Sequence, residues 1–345
     1  MSKKNNHIVI LTPGFPENET DTSCIPALQI YVKELRKLTG YEISVISFHY
    51  PKKKSVYNWN GIQVFTLGSS AIISKMLLWN KAYRVLKQIH RDKPITALHS
   101  FWLGECALVG HWFSKRNQVL HLTTLMGQDA LKGNKYAKIL PLKKLKLFVL
   151  SPFHQTVFNE NYNTKAAIIP WGIHPDSFCH MPKKTIDIIS IGSLIPLKNH
   201  ALFIDIIAKI NKTKSIKAVI IGDGMLRKTL EEKIRLLALE NTIILKGQLS
   251  YDETMQYLAQ SKILLHTSNY ESFGLVFAEA LQSNTMIVSK SIGCATASPN
   301  WRIAAHKTEM IEACNNLLSE SFSETEENTF LIEKTIQNYL TIYDN

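Results

Sequence analysis

Short runs of apolar and β-branched residues, each followed by a stretch of helical spacing, recur along the whole of this 345-residue chain. The first series is HIVILTP (7–13), EISVISF (42–48), IQVFTL (62–67), ITALHSF (95–101), VLHLTTL (119–125) and LKLFVLS (145–151). A helical pattern fills Ile25 to Leu38 between the first two. After Pro170 the alternation restarts with DIISIGS (187–193), KAVIIGDG (217–224), TIILKG (242–247), KILLHTS (262–268) and TMIVSK (285–290). Strands that are apolar throughout and separated by helices require parallel sheets covered on both faces. Two such series in tandem predict two doubly wound, Rossmann-like α/β domains. The length agrees, since one domain usually takes roughly 150 residues. The expected division is a first domain over 1–169, a proline-rich linker over 170–185, a second domain over 186–325 and a terminal helix over 326–345. No solenoid repeat or low-complexity tract interrupts this order.

In open α/β sheets, ligands bind beyond the carboxyl ends of the strands, so the loops after strands are where chemistry is sought. Three such loops in the second half stand out. GSLIPLKNH (192–200) ends a strand on a glycine and places Lys198 near a helix start, a combination of amides and an ammonium that suits phosphate. Lysines after strands are common, and this one alone decides little. The GDG at 222–224 is a tight turn that lets a ligand approach the backbone through Gly222 and Gly224. It is not the G-x-G-x-x-G of dinucleotide sites. The third loop runs into SNYESFGLVFAEAL (268–281), where Gly274 precedes a helix whose free amides favour an anion. Glu271 lies in the loop and Glu279 about two turns into the helix, at roughly 1.5 Å per residue. Carboxylates beside a phosphate make sense when they accept hydrogen bonds from sugar hydroxyls. A solvated helix face is the plainer reading of the same two glutamates.

With Glu271 and Glu279 in E-x7-E spacing, ESFGLVFAEAL resembles the signature of the family 4, or group 1, retaining glycosyltransferases. IGSLIPLKN, IGDGMLRKTLE and LKGQLSYDETMQYLAQSKILLHTS precede it in family order, and PWGIHPDSF is similar to the family's linker motif. The resemblance is strong over 165–293. It is weaker over 7–165, where ILTPGFP with Gly14, NGIQVF, LHSFW and TLMGQDA carry it. It implies a GT-B fold, two Rossmann-like domains facing across a cleft. The C-terminal domain would bind a nucleotide-sugar donor of UDP, GDP or ADP type, and the N-terminal one a saccharide or lipid-linked acceptor. Lys198 resembles the lysine that neutralises the donor diphosphate, Glu279 the acceptor of ribose hydroxyls and Glu271 the glutamate facing the donor sugar. The amides of Phe273, Gly274 and Leu275 would hold sugar hydroxyls and phosphate. The implied reaction is retaining transfer without a protein nucleophile, a cofactor or a bound metal, in polysaccharide or glycolipid synthesis.

The chain departs from the pattern at three places. Ser193 stands where the family has arginine, Met126 stands where it has histidine, and CATASPN replaces its G-G-x-x-E run. Lys198 would then act alone, or Arg227 or a basic residue of the first half would assist it. On the acceptor side Asp129 remains, with His99 or His121 in place of the missing histidine. Two other classes stay open: a different GT-B activity, such as an epimerase or a phosphorolytic enzyme, and a degenerate, non-catalytic binder of sugar nucleotides.

The net charge of +12 is uneven: residues 1–150 hold 22 lysines and arginines against 8 acids, and 151–345 hold 18 against 20. That asymmetry suits an anionic partner of the first half or a solubilising surface. In 74–93, Leu78, Ala82, Val85, Leu86 and Ile89 repeat at helical spacing with Lys75, Lys81, Arg84, Lys87 and Arg91 around them. This reads as a helix on an anionic membrane or as a core helix with a basic outer face. ILPLKKLKLF (139–148) poses the same choice. Nucleic acid is not expected, because aromatics do not interleave with the basic residues. No apolar run approaches the ~20 residues of a membrane span. The N-terminus lacks the apolar core of a secretory signal. Five scattered cysteines without metal-ligand spacing fit a reducing cytoplasm, with peripheral contact at the inner membrane face as the alternative. His7, His90, His154 and His306 read as surface residues.

Overall fold

The computed structural model of the protein describes residues 6–68, 74–174, 183–321 and 329–344. The first strand, β1 (His7–Gly14), is buried along almost its whole length, as a strand covered on both faces must be. It pairs in parallel with β2 (Glu42–Tyr50) on one side and, on the other, with the strand at Ala97–Phe101. Numbered in chain order, β3 (Ser55–Trp59), β4 (Ile62–Thr66), β5 (Ala97–Phe101), β6 (Leu120–Thr124), β7 (Lys146–Val149) and β8 (Ala167–Ile168) complete an eight-stranded sheet of order β3-β4-β2-β1-β5-β6-β7-β8. All pairs are parallel except β3 with β4, a hairpin closed by the two-residue turn Asn60-Gly61. The apolar pattern does not reveal β3, because an edge strand alternates: Ser55, Tyr57 and Trp59 face inward while Val56 is exposed.

The helices of this unit are α1 (Pro26–Thr39), α2 (Lys75–Asp92), α3 (Glu105–Asn117), α4 (Lys135–Ile139) and α5 (Pro152–Tyr162). In α2, Leu78, Ala82, Leu86 and Ile89 are buried and Val85 packs partly, against Val9, Leu11, Ile46 and Phe48 of the sheet. The periodic face of 74–93 is therefore a core face, at about 25 cal/mol for each Å² of apolar surface removed from water.

The second unit has a six-stranded, wholly parallel sheet of order β11-β10-β9-β12-β13-β14. Its strands are β9 (Ile186–Ile191), β10 (Ala218–Ile221), β11 (Ile243–Gly247), β12 (Ser261–His266), β13 (Met286–Ser289) and β14 (Trp301–Ile303). Its helices are α6 (His200–Asn211), α7 (Arg227–Leu236), α8 (Tyr251–Ala259), α9 (Leu275–Gln282) and α10 (Lys307–Leu317). Ile188, Ile220, Ile263 and Leu265 of the strands pack against Phe203, Ile207 and Met310 of the helices.

The chain divides at residues other than those read from the sequence. Met1–Gly172 and Ile332–Asn345 form one unit and Ile173–Leu331 the other. The central part of the expected linker, residues 175–182, lies outside the described residues, as does the acidic start of the tail. The terminal helix, α11 (Ile332–Tyr343), returns to the first unit: Tyr343 hydrogen-bonds Tyr31 at 2.7 Å and Tyr339 hydrogen-bonds Thr124 at 2.8 Å.

Candidate active site

The second unit gathers its conspicuous loops at the carboxyl ends of its strands. The loop after β9 is tied to the next one by Gly192 N–H to Ile221 O (2.9 Å) and Leu194 N–H to Asp223 O (2.9 Å). Gly222 has φ +139°, and a Cβ there would stand 2.0 Å from Gly192 O. Its glycine is therefore required by the adjoining loop, whatever ligand approaches. Gly224 is pressed in the same way against Leu194.

Lys198 ends a short 3-10 turn, Pro196–Lys198, after which Asn199 takes a left-handed conformation and α6 begins. A second set of bonds joins this turn to the loop after β12. Thr267 Oγ1 donates to Asn199 O at 3.0 Å, and Asn269 N–H donates to Leu197 O at 2.8 Å. The stitching brings two sequence-predicted residues together, for Lys198 Nζ forms an ion pair with Glu271 Oε1. The same carboxylate oxygen accepts from His266 Nε2 at 2.8 Å. Burial pushes Glu271 up, but the His266 hydrogen bond and the Lys198 charge outweigh it and hold the carboxyl at about 2. Burial lowers His266, which its Glu271 partner only partly opposes, so the ring is neutral and carries its proton on Nε2.

Phe273 is buried beside Phe330, and its carbonyl accepts from Cys294 N–H at 2.8 Å. Gly274 turns the chain at φ +80° into α9, whose N-terminus no side chain caps. The first turn, from Leu275, thus offers backbone N–H groups of the kind that meet anions. Glu279 is 6 % exposed on the second turn of α9. Burial pushes its carboxyl up to about 7, against the pull of the Tyr251 hydroxyl, which faces it. That hydroxyl is itself buried without a hydrogen bond of good geometry.

Sequence reasoning missed His266 and Tyr251. His266 is the last residue of β12, one step before the loops in which chemistry was sought. Tyr251 opens α8 behind a Ser250/Glu253 capping box, and nothing in its own neighbourhood marks it. Ser193, in the arginine position, is exposed. Arg227 does lie near these loops, but it pairs with Asp223 (3.3 Å) and Glu231 (2.9 Å).

Gly14, Asp129 and His99 belong to the first unit. Gly14 closes β1, and its carbonyl accepts from Thr12 Oγ1 at 2.9 Å. Asp129 clamps its own loop, accepting backbone N–H groups of Leu103 (2.8 Å), Met126 (3.1 Å) and Gly127 (2.7 Å). His99 does not face an acceptor. It is fully buried, bonded through Nδ1 to Tyr343 and through Nε2 to Thr124, and stacked on Phe101 at 4.1 Å. His121, the other substitute, hydrogen-bonds Ser100 at 2.9 Å. Two of the four expected surface histidines are interior: His7 bonds Ser44 at 3.0 Å, and His154 packs at the start of α5. Among the described residues no three His, Cys, Asp or Glu side chains converge as a metal site requires.

Residues 179–297 match the family model described as glycosyl transferases group 1. That stretch of the chain is similar to a group 1 glycosyltransferase domain. An uncharacterized glycosyltransferase of Methanocaldococcus jannaschii is 25 % identical over 218 residues, 61 % of this chain and 60 % of that relative. The phosphatidylinositol N-acetylglucosaminyltransferase GPI3 subunit of Saccharomyces cerevisiae is 21 % identical over 280 residues, 74 % of this chain and 62 % of that protein. The chain thus spans about three-fifths of the length of these curated relatives. The crystal structure of Anabaena HepE in complex with UDP and glucose superposes with a TM-score of 0.73 at 16 % identity, covering 98 % of this chain and 99 % of that one. The two parallel-sheet, Rossmann-like units are those of the GT-B glycosyltransferase fold. Glu271, Lys198 and the start of α9 all lie inside the matched domain.

Proposed function

We propose that the protein is a retaining glycosyltransferase that moves a sugar from a nucleotide-sugar donor to a saccharide or lipid-linked acceptor, in the synthesis of a cell-surface polysaccharide or glycolipid. The observation that carries this reading is the cluster Lys198–Glu271–His266, held beside the uncapped N-terminus of α9. A cation and a row of amides suit a departing diphosphate, which they stabilise as charge develops on it. Glu271, kept ionised and oriented by His266, accepts from the hydroxyls of the transferred sugar. Glu279 accepts from the ribose. The relatives support the ligand class, since HepE is described in complex with UDP and glucose, and the GPI3 subunit is named for transfer of N-acetylglucosamine to phosphatidylinositol. Glu271 is engaged by both Lys198 and His266, so it is not set apart as a nucleophile.

Thermal-shift screening against UDP-, GDP- and ADP-sugars tests the donor, because specific binding raises the melting temperature by mass action without an acceptor. One base class should stabilise the protein. NMR of the product formed from that donor should then show the donor's anomeric configuration retained. Stabilisation by none of the three, or an inverted product, overturns the reading.

A further inference from the structure

A hollow of about 680 Å³ opens at the amino ends of β2 and β4, opposite the carboxyl end of the same sheet, where the loop of Asp129 lies. That volume is in the range of small-ligand sites. Four elements meet around it. The end of α1 gives Arg36 and the start of β2 gives Glu42. The β3–β4 hairpin gives Val56, Asn58 and Gln63, and Lys93 follows the end of α2. The proposed transfer reaction uses none of these residues.

The charges of the hollow are unequal. Lys93 Nζ is paired with Glu42, so those two cancel. Arg36 has no carboxylate partner among the described residues. Its Nη1 donates to Asn60 O at 2.5 Å, and the guanidinium rests on Gly61, where a Cβ would stand 1.8 Å from that nitrogen. The turn thus fixes the guanidinium before any ligand arrives and leaves the other N–H groups of its fork unused. Amides lie beside it. Asn58 and Gln63 are opposite one another in the antiparallel register of β3 and β4, so their side chains share one exposed face. Asn58 Oδ1 accepts from Gly61 N–H at 2.6 Å, which leaves its NH2 group free. Gln63 makes no hydrogen bond to any described residue. Val56, two residues from Asn58 on the same face, is 58 % exposed. Solvation explains a charge or an amide at a sheet edge. It does not explain a guanidinium held still beside two unengaged amides.

We infer that this hollow is a second binding site of the protein, for a saccharide chain that carries carboxylates. The fork of Arg36 matches one planar carboxylate with two parallel hydrogen bonds. Asn58 and Gln63 offer donors and an acceptor, as sugar hydroxyls require. Val56 covers the apolar C–H face of a ring. The charge count selects the ligand: with Lys93 neutralised one cation remains, which suits one carboxylate per sugar and is too little for a nucleoside diphosphate. The inference does not rest on sugar transfer, since its readout is binding with no donor present.

The test is calorimetric titration of the full chain, without nucleotide sugar, with tetramers of galacturonate and of glucuronate and with the methyl ester of each. An acid tetramer should bind, and its ester should bind roughly 10- to 100-fold more weakly, the range for a hydrogen bond to a charged group. Arg36→Gln should remove that preference, so that acid and ester bind alike. Gln63→Glu, which keeps the size of an exposed side chain and sets a like charge beside the anion, should weaken the acid and spare the ester. Lys198→Ala should bind the acid as the parent does. Binding of neither acid tetramer, esters that bind as tightly as acids, parental binding of the acid by Arg36→Gln and Gln63→Glu, or loss of binding in Lys198→Ala would each overturn the inference. An unaltered circular dichroism melt in each variant separates loss of the site from loss of fold.

Discussion

His266 donates from Nε2 to Glu271 Oε1 at 2.8 Å, and that same oxygen is ion-paired with Lys198. A buried neutral ring and an ammonium thus fix one carboxylate from two sides. The Phe277 ring, its centroid 4.8 Å from that of the imidazole and nearly perpendicular to it, limits how His266 can turn. Position, more than charge, is what His266 supplies. His266→Ala should lower kcat by about 10-fold or more, since a hydrogen bond to a charged group contributes about 1.5–3 kcal/mol. Affinity for free nucleotide should stay near the parent's. His266→Gln, which keeps a donor, should recover part of kcat. Equal kcat in the Ala and Gln variants would show that the ring only fills space.

Lys198→Ala should reduce turnover by roughly 10²–10³, the range found when one group stabilising developing charge is removed. Ser193 offers no second cation, and Arg227 is held by two carboxylates. Steady-state kinetics with the preferred donor measure this, and near-parental turnover would remove Lys198 from the reaction.

The two glutamates should separate in calorimetric titrations. Glu279→Gln should weaken both the nucleotide sugar and the free nucleoside diphosphate, by roughly 10- to 100-fold, because both carry the ribose. Glu271→Gln should leave the free nucleotide unchanged and lower turnover. A solvated helix face predicts no effect on binding from either, but Glu279 is almost fully buried, which already disfavours that reading.

Donor affinity should rise with pH. The Glu279 carboxyl is pushed by burial to about 7, and ribose hydroxyls bind best to its ionised form. Between pH 6 and pH 8 the affinity for intact nucleotide sugar, whose diphosphate has no proton to lose there, should rise by about 10-fold. Glu279→Gln should abolish the rise. Tyr251→Phe, lacking the hydroxyl that opposes the shift, should move it to higher pH. The same shift has a stability consequence of the opposite sign. The folded state keeps a proton that the unfolded chain releases near 4.5, so this contribution is complete below that pH and is lost as pH rises through about 7. Melting temperatures of parent and Glu279→Gln across pH 5–8 check the sign.

The terminal helix should prove structural for the first unit. Tyr339 is 1 % exposed and bonds Thr124, so Tyr339→Ala should destabilise that unit by about 3–5 kcal/mol. Tyr339→Phe should cost only about 1 kcal/mol. Urea unfolding followed on both variants decides it, and an unchanged first transition in Tyr339→Ala would mean that α11 docks loosely.

The sequence alone determined the two α/β series, because a parallel strand buried on both faces must be apolar along its length and so announces itself. It also pointed to Glu271, Glu279 and Lys198 as the residues to examine, because Lys198 and Glu271 sit in loops after such strands and Glu279 in the helix that follows one. It left open what those side chains touch. His266 reaches Glu271 only because β12 ends where its loop folds back, and Lys198 reaches it across 73 positions of chain through bonds between two loops. The sequence pattern of 74–93 served two readings equally, and burial of Leu78, Ala82, Leu86 and Ile89 assigned that face to the core. His99 looked available and is interior, and α11 lies far along the chain from the strands it covers. Periodicity records which face of one element avoids water; which elements meet there is decided by long-range packing, and that is where the site is made.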